Sequence, residues 1–341
     1  MQEEKQFVNS LSGQRCTAEQ FLADSQRRAE LREELRREPV PSRRMHRLAI
    51  LLAIATVLST FWAGVGAWVP DVVLRLALLQ ESWMPVRRVL LANWSDGLQF
   101  SIALMSILVA HELGHYVLTL VYRVPSTPPL FIPFPAFSPF GTLGAIIAME
   151  SGTADRRQIF DIGLAGPLAG LLVAVPIIIY GLLHPSPITF APAEVMDMGQ
   201  PLLIQGLAAW LVPDQASAYV LVSNKQSSPL LMAGWVGLLV TGLNMMPLGQ
   251  LDGGHVTFGI FGRNSYYVGV TAFIGAIAFM IFTQVFLFSL MLVLVLFMGL
   301  RHPPSSNDAR AIGLPRTLIG LASLSLPVLC IPANPIVLLP I

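Results

Sequence analysis

Charged residues are scarce in this chain, and their scarcity narrows the classes of protein it can belong to. Only 12% of the 341 residues are charged, about half the fraction of an average soluble domain, which disfavours an ordinary soluble enzyme. The formal net charge of +1 leaves no basic excess for binding nucleic acid. Two cysteines provide neither a disulfide framework nor a cysteine metal cluster. With 54% hydrophobic residues and a mean hydropathy of +0.65, the composition indicates a membrane protein.

The few charges are concentrated at the N-terminus. Residues 1–47 hold 10 of the 21 Lys and Arg and 8 of the 20 Asp and Glu. Thr17 opens a capping-box pattern that predicts a helix running to about Arg37, and Pro39 and Pro41 end it. We expect this arm to be a solvated helix at the cytoplasmic surface of the membrane.

Apolar stretches dominate the remainder. They lie at approximately 48–69, 98–122, 160–183, 229–250, 267–283, 285–300 and 316–332. The first holds 22 residues without a charge, which is long enough to cross a bilayer. The sequence therefore predicts an all-α polytopic membrane protein with about seven transmembrane helices. Within residues 48–97, the first transmembrane helix is expected to be followed by an outer amphipathic segment.

The basic residues before the first span predict the orientation. Arg43, Arg44 and Arg47 directly precede it, and such residues stay on the cytoplasmic side of a membrane. We therefore expect a multi-pass membrane protein with its N-terminus in the cytoplasm.

The second apolar stretch carries three ionisable side chains in five residues, His111, Glu112 and His115. Histidines at i and i+4 lie on one helical face and can reach one metal ion. The glutamate between them is then placed as a base for the attacking water. Ionisable groups inside a membrane helix are costly and usually functional. The alternative is a buried polar cluster that packs helices together.

A hydrolytic zinc site needs a third protein ligand, and three residues at membrane depth are candidates. Asp252 follows a run broken by proline and glycine, where a carboxylate can turn toward a cavity; alternatively, it is a helix cap or turn residue. His255 could be a ligand, although an interfacial or supporting role is favoured. Asp161 lies near two arginines and is interpreted as an interfacial cap or ion-pair partner.

The two motifs together resemble the site-2 protease family of intramembrane zinc metalloproteases. Residues 111–115 provide the histidine motif, and residues 244–253 match the family block N-x-x-P-x-x-x-L-D-G in the same order along the chain. Softer glycine-containing blocks at 140–145, 164–170 and 233–235 extend the likeness. The resemblance implies a metalloprotease core over residues 98–260, followed by C-terminal transmembrane helices over 261–341. It is strongest to the branch shared by bacteria and plastids, without PDZ or CBS domains.

The resemblance also implies a role for each site residue. One zinc ion per chain would be held by His111, His115 and Asp252, with Glu112 as the base. Asn244 matches the asparagine that steadies the substrate carbonyl or its oxyanion, and a neutral amide can do so without adding a buried charge. Alternatively, Asn244 makes an interhelical hydrogen bond. The expected activity is cleavage of transmembrane segments of membrane-protein substrates within the lipid bilayer.

A different class of function would use the same residues. A membrane transporter or metal carrier could bind its cargo with the same His and Asp cluster at mid-membrane. No inverted repeat is evident in the sequence, as many transporters have, and Glu112 between the histidines favours catalysis.

A proline-rich segment separates the second and third apolar stretches. Six prolines fall between Pro125 and Pro139, and no regular helix tolerates that density. The resemblance implies a re-entrant loop or hairpin near the metal site, ending near Phe140–Ile147; the alternative is an interfacial loop. An extended stretch there is expected to hold substrate as a neighbouring strand.

Overall fold

The computed structural model describes residues 43–338, apart from 136–137, 187, 191–195, 220, 224–227 and 284–287. The helix predicted between Thr17 and Arg37 lies outside the described residues.

Helices account for most of the described chain. They are α1 (Arg43–Val65), α2 (Pro70–Leu79), α3 (Met84–Tyr122), α4 (Arg156–Leu183), α5 (Leu202–Leu211), α6 (Pro229–Asn244), α7 (Asp252–Phe261), α8 (Ser265–Thr283), α9 (Ser289–Met298), α10 (Leu314–Ser323) and α11 (Leu326–Cys330). The strands are β1 (Leu130–Pro133), β2 (Thr142–Ile146), β3 (Met196–Gly199), β4 (Leu221–Ser223) and β5 (Val337–Leu338). The predicted helical class is confirmed, and the strands form two small sheets that an all-α description leaves out.

Four helical segments in the described residues are long and apolar enough to cross a membrane. They are Arg43–Val65, Met84–Tyr122, Arg156–Leu183 and the α7–α8 segment Asp252–Thr283. Shorter apolar helices are Leu202–Leu211, Pro229–Asn244, Ser289–Met298 and Leu314–Cys330. The membrane character is thus confirmed, whereas the number of seven spans remains a prediction.

Helix α3 begins before the apolar stretch predicted at 98–122, within the outer segment expected over residues 70–97. Only α2 is separate, and residues 84–97 form the first part of the 39-residue α3. Asp96 and Asn93 are buried in this part, where they bond to the main-chain N–H groups of Thr189 and Phe190 at 2.9 and 2.8 Å. Polar residues that suggested a surface segment are therefore satisfied by a loop that folds over them.

The core that positions the site lies where α3, α4 and α6 meet. Most residues of α6 are buried, as expected for a helix that is apolar on all sides. Helices α3 and α4 approach closely because Gly114 has no side chain; an added Cβ would lie 2.5 Å from the carbonyl oxygen of Ala165. Trp235 of α6 is 1% exposed, and its indole N–H donates to the Gly199 carbonyl of β3 at 2.9 Å.

Strands β1 and β2 form an antiparallel hairpin in the region where prolines exclude a helix. Leu130 pairs with Ile146 and Phe131 with Ala145. The hairpin packs against α1, whose Ser59 hydroxyl donates to the Gly141 carbonyl at 2.6 Å. An extended stretch within Phe140–Ile147 is thus present as β2, while its re-entrant position in a membrane remains a prediction.

Residues 299–313 between α9 and α10, here termed the return segment, fold back onto α4 and α7. Arg156, in the first turn of α4, donates to the carbonyls of Gly259 and Ile260 at 3.0 and 2.9 Å. Arg310 of the return segment pairs with Asp155, the N-cap of α4, at 2.5 Å. These contacts fix the ends of the two helices that flank the site.

Candidate metal centre

Three side chains converge from two helices. His111 and His115 project from α3, and Asp252 is the first residue of α7. The Nε2 atoms of His111 and His115 lie 3.2 and 3.3 Å from Oδ2 of Asp252. The three ligand atoms fall within 4.8 Å of one another, and two imidazoles with one carboxylate are a donor set that zinc accepts. The cluster is therefore suited to one metal ion.

The histidines and Glu112 are buried, and the Asp252 side chain is 15% exposed. His111, Glu112 and His115 are 2%, 4% and 8% exposed. Burying such groups is unfavourable unless they are paired or coordinate a metal. Their burial is thus consistent with a metal site.

The two other candidates for the third ligand lie elsewhere. Asp161 forms an ion pair with Arg316 of α10, with N–O distances of 2.7 and 3.0 Å, and accepts a bond from the Tyr122 hydroxyl at 2.7 Å. Asp161 thus forms an ion pair, as predicted, but with an arginine distant in sequence and not with one of the two nearby arginines. His255 bonds instead to His302, at 2.7 Å.

The orientation of His115 is set by a main-chain group. Its Nδ1 lies 2.7 Å from the carbonyl oxygen of Ile162 on α4. Because a carbonyl only accepts, Nδ1 carries the proton and Nε2 keeps its lone pair on the Asp252 side. Sequence reasoning missed this contact, since a main-chain acceptor leaves no residue-type signal.

Glycines on α4 make room for both imidazoles. A Cβ at Gly166 would lie 2.0 Å from Nε2 of His115, and a Cβ at Gly170 would lie 3.2 Å from Nδ1 of His111. The 164–170 block alone would be a weak motif. Its glycines let the α4 backbone lie directly against both imidazole rings.

Glu112 is buried beside the cluster and is not engaged elsewhere. Its carboxylate is close enough to interact electrostatically with His111, His115 and Asp252. Among the described residues it has neither a hydrogen-bond nor an ion-pair partner. A carboxylate in this state can accept and return a proton.

Asn244 reaches the cluster from a third helix. It is the last residue of α6, and its Nδ2 lies 3.4 Å from Nε2 of His111. The seven residues between Asn244 and Asp252 turn the chain from α6 into α7, with Gly249 at φ +49°. All five residues predicted for the site thus lie together.

Comparison with known proteins places these residues within a matched region. Residues 99–293 match the model of Peptidase family M50. The chain is 30% identical over 234 residues to the probable zinc metalloprotease EGY1, chloroplastic, of Oryza sativa subsp. japonica, covering 66% of this chain and 40% of that protein. It is 32% identical over 227 residues to the Arabidopsis thaliana protein of the same name, covering 64% and 40%.

A third relative is the probable zinc metalloprotease EGY2, chloroplastic, of Arabidopsis thaliana, 30% identical over 171 residues that cover 50% of this chain and 30% of that protein. The chain spans 40% of the length of the two EGY1 relatives. No solved structure matches it.

Proposed function

Because the chain belongs to peptidase family M50, we propose that it is an intramembrane zinc endopeptidase that cleaves transmembrane segments of membrane-protein substrates. The observation that carries the proposal is the convergence of His111, His115 and Asp252 within 4.8 Å, with an unengaged Glu112 beside them. The relatives' names as zinc metalloproteases support this class over a transporter.

The proposed ligands of zinc are His111, His115 and Asp252. When bound, the ion supplies a Lewis acid that lowers the pKa of water and polarises a carbonyl. The Ile162 carbonyl holds the His115 ring in the tautomer that leaves Nε2 unprotonated.

Glu112 is proposed to move the proton. Its carboxylate takes a proton from the water whose oxygen adds to the peptide carbonyl carbon. It then donates that proton to the leaving nitrogen as the C–N bond breaks. The absence of a competing partner for Glu112 in the described chain suits this double role.

Asn244 is proposed to stabilise the reacting carbonyl. Its Nδ2 lies near the cluster, 3.4 Å from His111, and an amide N–H can donate to the oxygen as negative charge develops. Because the amide is neutral, it adds no buried charge when the site is empty of substrate.

The substrate is proposed to bind as an extended strand beside β2. A membrane helix must unwind before its carbonyls can be attacked, and its exposed amides then need partners. Within the described residues β2 pairs with β1 alone, and strand addition would supply those partners. Gly144 of β2 lies next to α6, since an added Cβ would be 3.7 Å from Val240, one turn before Asn244.

The proposed setting is a multi-pass protein of the bacterial cytoplasmic membrane, with about seven crossings and the hairpin entering from the cytoplasmic side. The basic residues at the start of α1 support this orientation. The metal cluster would then lie about 12–18 Å from the cytoplasmic end of α3 at Arg123, at 1.5 Å per residue.

The test is cleavage of a transmembrane reporter by purified protein, together with its zinc content. We expect one zinc per chain and cleavage by the wild type. Glu112→Gln keeps the side-chain shape but cannot take a proton, so its rate should fall ~10²–10⁴-fold while zinc content is retained. Cleavage by Glu112→Gln at the wild-type rate would rule out this base.

A further inference from the structure

His255 and His302 form a hydrogen-bonded pair next to the candidate metal centre. Nδ1 of His255 lies 2.7 Å from Nε2 of His302, and the two rings meet edge to face with centroids 4.9 Å apart. His302 belongs to the return segment, beyond residue 293, where the family match ends. Neither residue joins the metal cluster of the described chain.

The direction of the hydrogen bonds is fixed by the main chain. Nδ1 of His302 lies 2.6 Å from the carbonyl oxygen of Pro303. Because that oxygen only accepts, Nδ1 of His302 carries the proton and its Nε2 accepts from Nδ1–H of His255. Burial lowers the pKa of His302 below its usual value. A neutral His302 ring is the form that this bond direction requires.

The pair acts on the turn of helix that carries Asp252. His255 follows Asp252 by three residues on α7, so the two side chains are neighbours on one helical face. Leu251, the N-cap of α7, makes no side-chain capping bond. On another side, Gly253 meets the preceding turn, since an added Cβ would lie 2.0 Å from the Met245 carbonyl oxygen. The backbone contact and the histidine pair together restrain the rotation of α7 about its axis.

His302 is itself firmly anchored. Its ring stacks on Phe258, with centroids 4.1 Å apart and an interplanar angle of 5°. The return segment is tied to α4 by the Arg310–Asp155 ion pair at 2.5 Å. Because the His302 ring is held in place, its hydrogen bond also holds the His255 side chain in place.

We propose that His302 is a positioning residue which, through His255, fixes α7 so that Asp252 stays within reach of the metal. The inference rests on the proposed metal site of His111, His115 and Asp252. It gives the return segment a role in metal binding although it lies outside the matched family region.

Two variants of the full chain distinguish the role of His302 as a hydrogen-bond acceptor from the role of its ring in stacking. His302→Phe keeps a flat ring over Phe258 but removes the acceptor, whereas His302→Gln retains a side-chain acceptor. Zn²⁺ affinity is measured by competition with a chelator, and Co²⁺ is used to record the absorption spectrum of the site. We expect His302→Phe to bind Zn²⁺ ~10–100-fold more weakly, the range for outer partners of metal ligands, and to change the Co²⁺ spectrum. His302→Gln should recover most of the affinity.

The matched control is His184→Phe, which removes an exposed histidine at the other end of α4 and should leave both readouts unchanged. Wild-type affinity and spectrum in His302→Phe would overturn the inference, as would equal losses in His302→Phe and His302→Gln. If His302→Phe does not fold, His255→Phe removes the donor instead, with the same expected loss and the same overturning result. A wild-type protein without Zn²⁺ binding would refute the proposed metal site itself, and this inference with it.

Discussion

At the scale of single residues, the position of the His115 ligand atom depends on the space left for the imidazole ring. The ring fits because Gly166 leaves a gap that any side chain would fill. Gly166→Ala should therefore displace the imidazole or separate α3 from α4, and zinc affinity should fall by at least about tenfold, the lower limit for disturbing a ligand's supports. Zinc is measured by chelator competition on protein that elutes as a single species in detergent.

The control for Gly166→Ala is Gly206→Ala, because an added Cβ at Gly206 has nothing within 4 Å. Gly206 lies inside α5, where alanine favours the helix, so zinc binding and folding should be unaffected. Unchanged zinc affinity in Gly166→Ala would mean that α4 shifts to accept the added methyl group without displacing His115.

The assignment of the third ligand is also tested at single residues. Asp252→Ala should lower zinc affinity by more than about 100-fold, since removing a ligand exceeds the cost of removing its supports. Asp161→Asn, which keeps an acceptor for Tyr122, should retain zinc. Elemental analysis of both proteins distinguishes the two carboxylates, and full zinc in Asp252→Ala would contradict the assignment.

The sequence was most informative about residues whose type carries the chemistry. Glu112 and the two histidines could be selected because ionisable groups are rare in apolar runs. Asp252 was one of three candidates for the third ligand, and Asn244 was assigned through the family resemblance. The Ile162 carbonyl had no such signal. His302 lies 47 residues from its partner His255, and single-sequence patterns do not report pairs at that separation.

At the scale of elements, the β1–β2 hairpin leads to a test of substrate binding. The side chain of Leu143 in β2 is 48% exposed, so a photo-crosslinking residue fits there without disturbing the core. We expect it to capture a transmembrane substrate in Glu112→Gln protein, which binds without cleaving. The same crosslinker at Leu318 of α10, 58% exposed, should capture little. The reverse pattern would mean that substrate enters near α10.

Element boundaries were predicted less well than element types. Proline density indicated a non-helical segment after α3, and the hairpin is found there. The start of α3 was missed because charged residues such as Arg87 and Asp96 interrupt its apolar pattern. The helix accommodates Asp96 because the carboxylate accepts a hydrogen bond from the Thr189 N–H, a tertiary contact that hydropathy does not describe.

At the scale of the whole molecule, the proposed topology predicts opposite exposure for two surface positions. Arg87, near the start of α3, and Ser306, in the return segment, are both exposed. With Cys16 and Cys330 replaced, Arg87→Cys should react with a membrane-impermeant maleimide added outside intact cells. Ser306→Cys should react only after the membrane is opened. Labelling of both positions from the same side would contradict the proposed topology.

The membrane class followed from the composition of the whole chain, and the family resemblance followed from two local motifs. The number of crossings did not follow. Helix α6 has 16 residues, or ~24 Å, less than the ~30 Å hydrocarbon thickness, and yet it is buried at the centre of the fold. A short helix shielded by its neighbours does not need the length of a lipid-exposed span.

The length of α3 also bears on how the molecule can move. Its 39 residues form a rod of ~58 Å, and no proline after its first turn is present to kink it. Its two faces are fixed at Gly97 and Gly114, where added Cβ atoms would lie 2.8 and 2.5 Å from carbonyl oxygens of α1 and α4. For the proposed protease, we therefore expect substrate entry to involve displacement of the hairpin or of the C-terminal helices, without bending of the helix that carries the two histidines.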